Sequence, residues 1–207
     1  MRNKNTLILF TKTPQICRVK TRLWPHLNHR ECLRLHRSLI QNIVKQLSNQ
    51  RKYNFILYAT DNKLKNPLLR LTSKKQYGCD LGLRMFNAFN NELKRSRNVV
   101  LIGSDCVEFS QTYIGNAFNQ LEAGHDIVLG PTNDGGYCLV GMKKPNKFLF
   151  ENIAWSTPDV MQESLRAASK KNKNIHLLER MNDIDTIDDL KELQKLNALP
   201  NWVRQFI

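Results

Sequence analysis

Residues Val99 to Phe109 read VVLIGSDCVEF, and this stretch decides the fold. Four apolar residues run straight into Gly103, followed by Ser104, Asp105 and Cys106. A short continuous apolar run is what a strand covered on both faces presents. An aspartate just past the end of such a strand is costly unless something pairs with it. A metal ion or the start of a helix would serve.

Working outward, strand and helix signals alternate. Thr6–Thr11, TLILFT, repeats the buried-strand pattern. Leu33, Leu39, Ile40, Ile43, Val44 and Leu47 follow at helical spacing, with Asn28 and Glu31 placed as a capping box. Further strands are expected at Tyr53–Thr60, Asn98–Gly103, Asp126–Leu129, Tyr137–Met142 and Ile175–Leu178. Further helices are expected at Leu81–Leu93, Gln111–Leu121, Pro158–Ser169 and Thr186–Leu196, the last capped by Thr186 and Asp189. Alternating strands and helices argue for an α/β fold, a mostly parallel sheet with helices on both faces. Ligands of such folds sit at the carboxyl ends of the strands, where Asp105 stands.

Composition narrows the function. The 207 residues suit one domain, 1–207. No apolar run approaches the ~18 residues of a membrane span. The apolar run of the first residues, Leu7 to Phe10, is shorter than a secretory segment, so the protein is read as cytoplasmic. The five cysteines are widely spaced with no C-x-x-C pair, which favours free thiols over zinc or a disulfide framework. A net charge of +14 attracts anions, including phosphorylated small molecules and nucleic acid. The basic residues are scattered and do not interleave with aromatics, so a nucleic-acid-binding protein is the reading of last resort.

Four clusters carry chemistry. KTPQICRVKTRLWP, Lys12 to Pro25, sets Lys12, Arg18, Lys20 and Arg22 in one loop after the first strand. Compact ammonium and forked guanidinium groups suit a di- or triphosphate, although the loop lacks the glycines of a phosphate-binding P-loop. GSDC, Gly103 to Cys106, offers one carboxylate, and a magnesium or manganese ion takes one or two, together with phosphate oxygens and water. GPTNDGGYCLVGM, Gly130 to Met142, places Asp134 and Tyr137 among glycines, as a tight hairpin or a close approach of backbone to ligand. MNDIDTIDDL, Met181 to Leu190, puts Asp183 and Asp185 just before a capped helix, as a second metal ligand or as ordinary helix-start acids.

Together with two further blocks, these clusters form an ordered set: FTKTPQICRVKTRL, CDLGLRM, GSDCV, GPTNDGGYCLVG, WST and DIDTIDDL. The set resembles the bacterial MobA-like family of GT-A glycosyltransferases, some members of which are linked to arsenosugar biosynthesis. The resemblance spans nearly the whole chain. Cys17 stands where that family has glycine, Val107 where it has proline, and Cys79 replaces the glycine before Asp80.

The resemblance implies a single-domain GT-A, or nucleotide-diphosphosugar transferase, fold: a Rossmann-like three-layer arrangement with a mixed, mostly parallel sheet. It implies Asp105 and Asp185 as ligands of a divalent Mg or Mn ion, with Asp183 as the alternative to Asp185. Lys12, Lys20, Arg22, Asp80 and Arg84 would contact the nucleotide and its phosphates. Tyr137, Trp155 and Thr157 would lie on the sugar or acceptor side, and Asp134 would be the catalytic base. The activity implied is metal-dependent glycosyl transfer from a nucleotide sugar to a small-molecule acceptor. A nucleotidyltransferase is the alternative, because KTRLWP is similar to the T-R-x-x-P element of sugar-phosphate nucleotidyltransferases. A homodimer is left open.

Overall fold

The computed structural model describes residues 5–49, 51–61, 71–196 and 199–206. Strands β1 (Asn5–Thr11), β2 (Asn54–Ala59), β3 (Thr72–Lys75), β4 (Asn98–Ile102), β5 (Ile127–Pro131), β6 (Tyr137–Met142) and β7 (Ile175–Leu177) form one sheet. Their order across it is β3-β2-β1-β4-β6-β5-β7. β6 alone runs antiparallel to its neighbours β4 and β5; the other pairs are parallel. The sheet is thus mixed and mostly parallel.

The apolar runs place side chains alternately on the two faces. Leu7, Leu9, Val100, Ile102 and Val128 pack against α1 (His29–Leu47) and α3 (Gln111–Glu122). Ile8, Phe10, Leu101, Leu129 and Val140 pack against α2 (Leu81–Glu92) and α4 (Val160–Ser169). Each such side chain, fully buried, contributes about 1.5–3 kcal/mol. α5 (Ile187–Lys195) and α6 (Asn201–Arg204) lie against the outer side of α1 through Leu190, Leu193, Val203 and Phe206.

The expected helix starts are present. Asn28 and Glu31 form a reciprocal capping box at α1, and Thr186 and Asp189 form another at α5. α4 begins at Val160, two residues after the expected Pro158, because Pro158 and Asp159 close the turn before it. The strand β3 and the short helix α6 were not expected. β3, sequence TSKK, is polar and half exposed at the edge of the sheet, so it carries no apolar signal.

β1, β4 and β5 end on the same side of the sheet, and the antiparallel β6 begins there. The loops after β1 and β4, together with the 132–136 turn from β5 into β6, line one cavity.

Candidate active site

The cavity has a volume of about 640 Å³. Its walls include Lys12, Lys20, Arg22, Arg84, Asp105, Asp134, Tyr137, Trp155, Thr157, Asp183 and Asp185. Of the residues named from the sequence, Arg18 and Asp80 are not on the wall; Asp80 caps α2, its Oδ1 accepting from the Leu83 amide at 2.7 Å. That bond holds its carboxyl below the ordinary aspartate range.

Backbone pairing brings the two distant acidic blocks together. Past the end of β4, Cys106 bridges to Asp183 in antiparallel fashion, and the Ile184 amide donates to the Asp105 carbonyl at 2.9 Å. Upstream, the Met181 amide donates to the Pro131 carbonyl at 2.9 Å, laying the same segment along the end of β5. The capping box of α5 fixes the far end: the Asp189 carboxylate accepts from the Asp185 amide at 2.9 Å and from the Thr186 amide at 2.6 Å. Asp105 and Asp185 therefore face one another on a pinned framework. Asp105 is not a helix cap, since Ser110 caps the following α3.

Between the two carboxylates lies Lys20. Its Nζ is 2.6 Å from Asp105 Oδ1 and 3.4 Å from Asp185 Oδ1, and it also donates to the Ile184 carbonyl. The Lys20 side chain is 3% exposed, whereas those of Asp105 and Asp185 are 40% and 37% exposed toward the cavity. Burial would lower the lysine's pKa, but the two aspartates outweigh it and hold the ammonium above its usual value. Burial likewise works against the Asp105 carboxylate, and Lys20 overrides it, keeping the group below the ordinary range. Arg22 Nη1 reaches Asp185 Oδ2 at 3.4 Å from an exposed position.

Asp183 differs from its neighbour. Burial, with Asp134 and Asp185 nearby, pushes its carboxyl up to about 7. Asp185, by contrast, faces Lys20 and Arg22.

A polar chain supports Asp105 from beneath. Ser104 Oγ lies 3.4 Å from Asp105 Oδ1 and 3.0 Å from Thr11 Oγ1 at the end of β1. His36 of α1 places Nε2 3.0 Å from the Lys12 carbonyl, and its burial depresses its pKa, keeping the ring neutral. Gln76, just past β3, donates from Nε2 to the carbonyls of Thr11 and Tyr58 at 2.8 and 3.0 Å. Neither wall residue is signalled by sequence pattern: His36 sits on the apolar face of a helix, and Gln76 follows an edge strand with no pattern.

The glycine-rich turn and the WST block form the opposite wall. Asp134 Oδ1 accepts from Thr132 Oγ1 at 2.6 Å and from the Gly136 amide at 2.9 Å, so one of its oxygens is committed to the turn. The turn is both the β5–β6 hairpin and a cavity wall. Gly135 has φ +86° and lies so close to Pro158 that a Cβ there would stand 2.1 Å from its carbonyl oxygen. The Tyr137 ring lines the cavity and meets Trp155 edge-on at 6.3 Å, while burial raises its phenol, which lies by Ser164 of α4. The Thr157 hydroxyl donates to the Ala154 carbonyl at 2.7 Å, so it serves its own turn. Arg84 donates from Nε to the Gly78 carbonyl at 2.9 Å, which aims its guanidinium along the wall.

This mixed, mostly parallel α/β sheet has the nucleotide-diphospho-sugar transferase fold. Residues 59–157 match the model of the family DUF2064, described as an uncharacterized protein conserved in bacteria. That stretch holds four of the six blocks and excludes the basic loop and the Asp183–Asp185 segment. A crystal structure from Desulfovibrio desulfuricans G20, described provisionally as a nucleotide-diphospho-sugar transferase, is 27% identical with a TM-score of 0.86, over 97% of this chain and 90% of that one. A CMP:2-keto-3-deoxy-manno-octonic acid synthetase complexed with CTP shares the fold at 9% identity and a TM-score of 0.61, over 94% of this chain and 98% of that one. A protein of Mycobacterium tuberculosis H37Rv in complex with manganese shares it at 13% identity and a TM-score of 0.56, over 93% and 98%. Among curated proteins none matches the chain. No helix of the described residues is long and apolar enough to cross a membrane.

Proposed function

We propose that the chain is a metal-dependent glycosyltransferase, using a nucleotide-diphosphosugar donor and a small-molecule acceptor. The observation that carries this reading is the facing pair Asp105 and Asp185, with Lys20 between them and Arg22 at the rim. The donor set suits a hard divalent ion. Two carboxylates face one point, and among the described residues no cluster of three or more acidic, histidine or cysteine ligands makes a complete protein cage. Magnesium and manganese bind in this way, with phosphate oxygens and water completing the shell. The manganese bound by the mycobacterial protein of like fold is in keeping with this.

An ion held by Asp105 and Asp185 would supply positive charge against that developing on the departing diphosphate. The chain's own residues do the rest. Lys20 and Arg22, with Lys12 and Arg84 farther along the wall, bind and orient the phosphates. Asp134 keeps one oxygen clear of its turn and is the candidate base for an acceptor hydroxyl. Tyr137 and Trp155 give that end an aromatic wall, which suits a sugar ring.

The six ordered blocks support a MobA-like GT-A enzyme, and cytoplasmic location and a single domain over 1–207 belong to the same proposal. A second reading, nucleotidyl transfer from an NTP to a phosphorylated acceptor, is favoured by the fold shared with the CTP-bound synthetase and by KTRLWP. Thermal shifts with NTPs, NDPs and nucleotide sugars, with and without Mn²⁺, separate the two, since a ligand of the folded state raises its melting temperature. Manganese-dependent stabilisation by one NDP and its sugar conjugate is expected. Stabilisation by an NTP alone would replace this reading with the second, and no shift at all would remove both.

A further inference from the structure

Lys20 stands where a cation between Asp105 and Asp185 would stand. Its three partners are Asp105, Asp185 and the Ile184 carbonyl, and an ammonium has three N–H groups to donate. The side chain is 3% exposed and rises from a backbone in the left-handed region, φ 50°, so its approach is fixed by the loop. By contrast, Arg22 is 53% exposed and touches only Asp185, at 3.4 Å. A divalent ion reaching this point alone would meet a buried like charge at contact distance. It would also have to displace the ammonium from all three of these partners. A diphosphate changes both terms, because its oxygens accept the ammonium and carry the metal.

We infer that Lys20 is the resident counter-ion of the Asp105–Asp185 pair, and that a divalent metal gains the pair only together with a phosphate-bearing ligand that draws the ammonium away. This rests on the metal–nucleotide reading of the site. It assigns Lys20 a second task beside phosphate binding: it keeps free metal out and makes metal and nucleotide arrive together.

The test is Mn²⁺ binding, read from the loss of the free-ion electron paramagnetic resonance signal. Wild type, Lys20→Gln and Lys20→Met are titrated with Mn²⁺ alone, and wild type is titrated again with each common nucleoside diphosphate, the Mn²⁺ held by the nucleotide in a protein-free titration being subtracted. Wild type should bind Mn²⁺ alone weakly, and the two variants should bind it about tenfold more tightly or better, since the carboxylates are then left unpaired. Melting curves in a chelator establish that the variants fold, and Mn²⁺ alone should raise the melting temperature of Lys20→Gln but not of wild type. Wild type binding Mn²⁺ alone as tightly as with nucleotide would overturn the inference without recourse to any variant. Equal affinities of wild type and folded Lys20→Gln for Mn²⁺ alone would also overturn it. Absence of Mn²⁺ binding in every protein, with or without nucleotide, would overturn the metal reading itself.

Discussion

Asp183 and Asp185 lie on one short segment and meet different surroundings. Asp185 faces Lys20 and Arg22, whereas burial and the acids around it push Asp183 up to about 7. A carboxyl whose pKa is raised on folding stabilises the protein below its unfolded pKa, near 4, and loses that contribution as pH rises toward 7. Asp183→Asn has no such loss. In metal-free buffer, the variant's stability relative to wild type should rise between pH 5 and pH 8 by about 1–2 kcal/mol, allowing for partial solvent screening. Urea midpoints at the two pH values measure this, and a difference that does not change with pH would contradict the assignment. Cys17 presents another local conflict. It has φ 59° at an exposed position of the basic loop, a conformation that glycine adopts without penalty. Cys17→Gly should raise stability by about 0.5–1 kcal/mol, the relief of left-handed strain less the entropy of the freer unfolded chain. Denaturant midpoints would show it.

At the scale of elements, the chain declares its helices better than its sheet edges. Asn28, Glu31, Thr186 and Asp189 announce two helix starts in the sequence, and both capping boxes form. β3 is silent because its packing is tertiary. Lys74 on it pairs at 2.6 Å with Glu92, a nearly fully buried acid of α2, which also accepts from Tyr58 of β2. Those partners lie far apart in sequence, so no local periodicity reveals them. The antiparallel sense of β6 follows from the hairpin at Asp134–Gly136, which the sequence left open between a turn and a ligand contact. Gly82 explains how α2 and the WST block join. A Cβ there would lie 2.5 Å from the Phe150 carbonyl oxygen and 2.7 Å from Trp155 Nε1. Gly82→Ala should cost about 1–3 kcal/mol by overpacking and change the Trp155 fluorescence. An unchanged spectrum and melting temperature would mean that the contact is not rigid.

For the molecule as a whole, the sequence carried the α/β class, the mostly parallel sheet and the blocks that meet at one end of it. The cavity gathers the site residues named from the sequence except Arg18 of the basic loop and Asp80, which is taken up in starting a helix. What pattern could not show is the relation among those residues. The basic loop reads as a phosphate grip, yet the folded chain turns Lys20 inward onto the two acids, an arrangement that depends on the pairing of Cys106 with Asp183 across the molecule. His36 and Gln76 join the wall for the same tertiary reason. The net charge of +14 suits an anionic partner, yet the cavity itself is balanced, with Lys12, Lys20, Arg22 and Arg84 on its wall beside Asp105, Asp134, Asp183 and Asp185.

In the proposed function Asp105 holds a metal over a nucleotide diphosphate. The most direct test is calorimetric titration of wild type and Asp105→Asn with the stabilising nucleotide in Mn²⁺ and in chelator. Wild type should bind in Mn²⁺, the variant should keep its fold, and its affinity in Mn²⁺ should fall by about 10–100-fold through loss of a charged ligand. Equal affinity of the two proteins in Mn²⁺ would contradict it and return Asp105 to the role of a partner for Lys20.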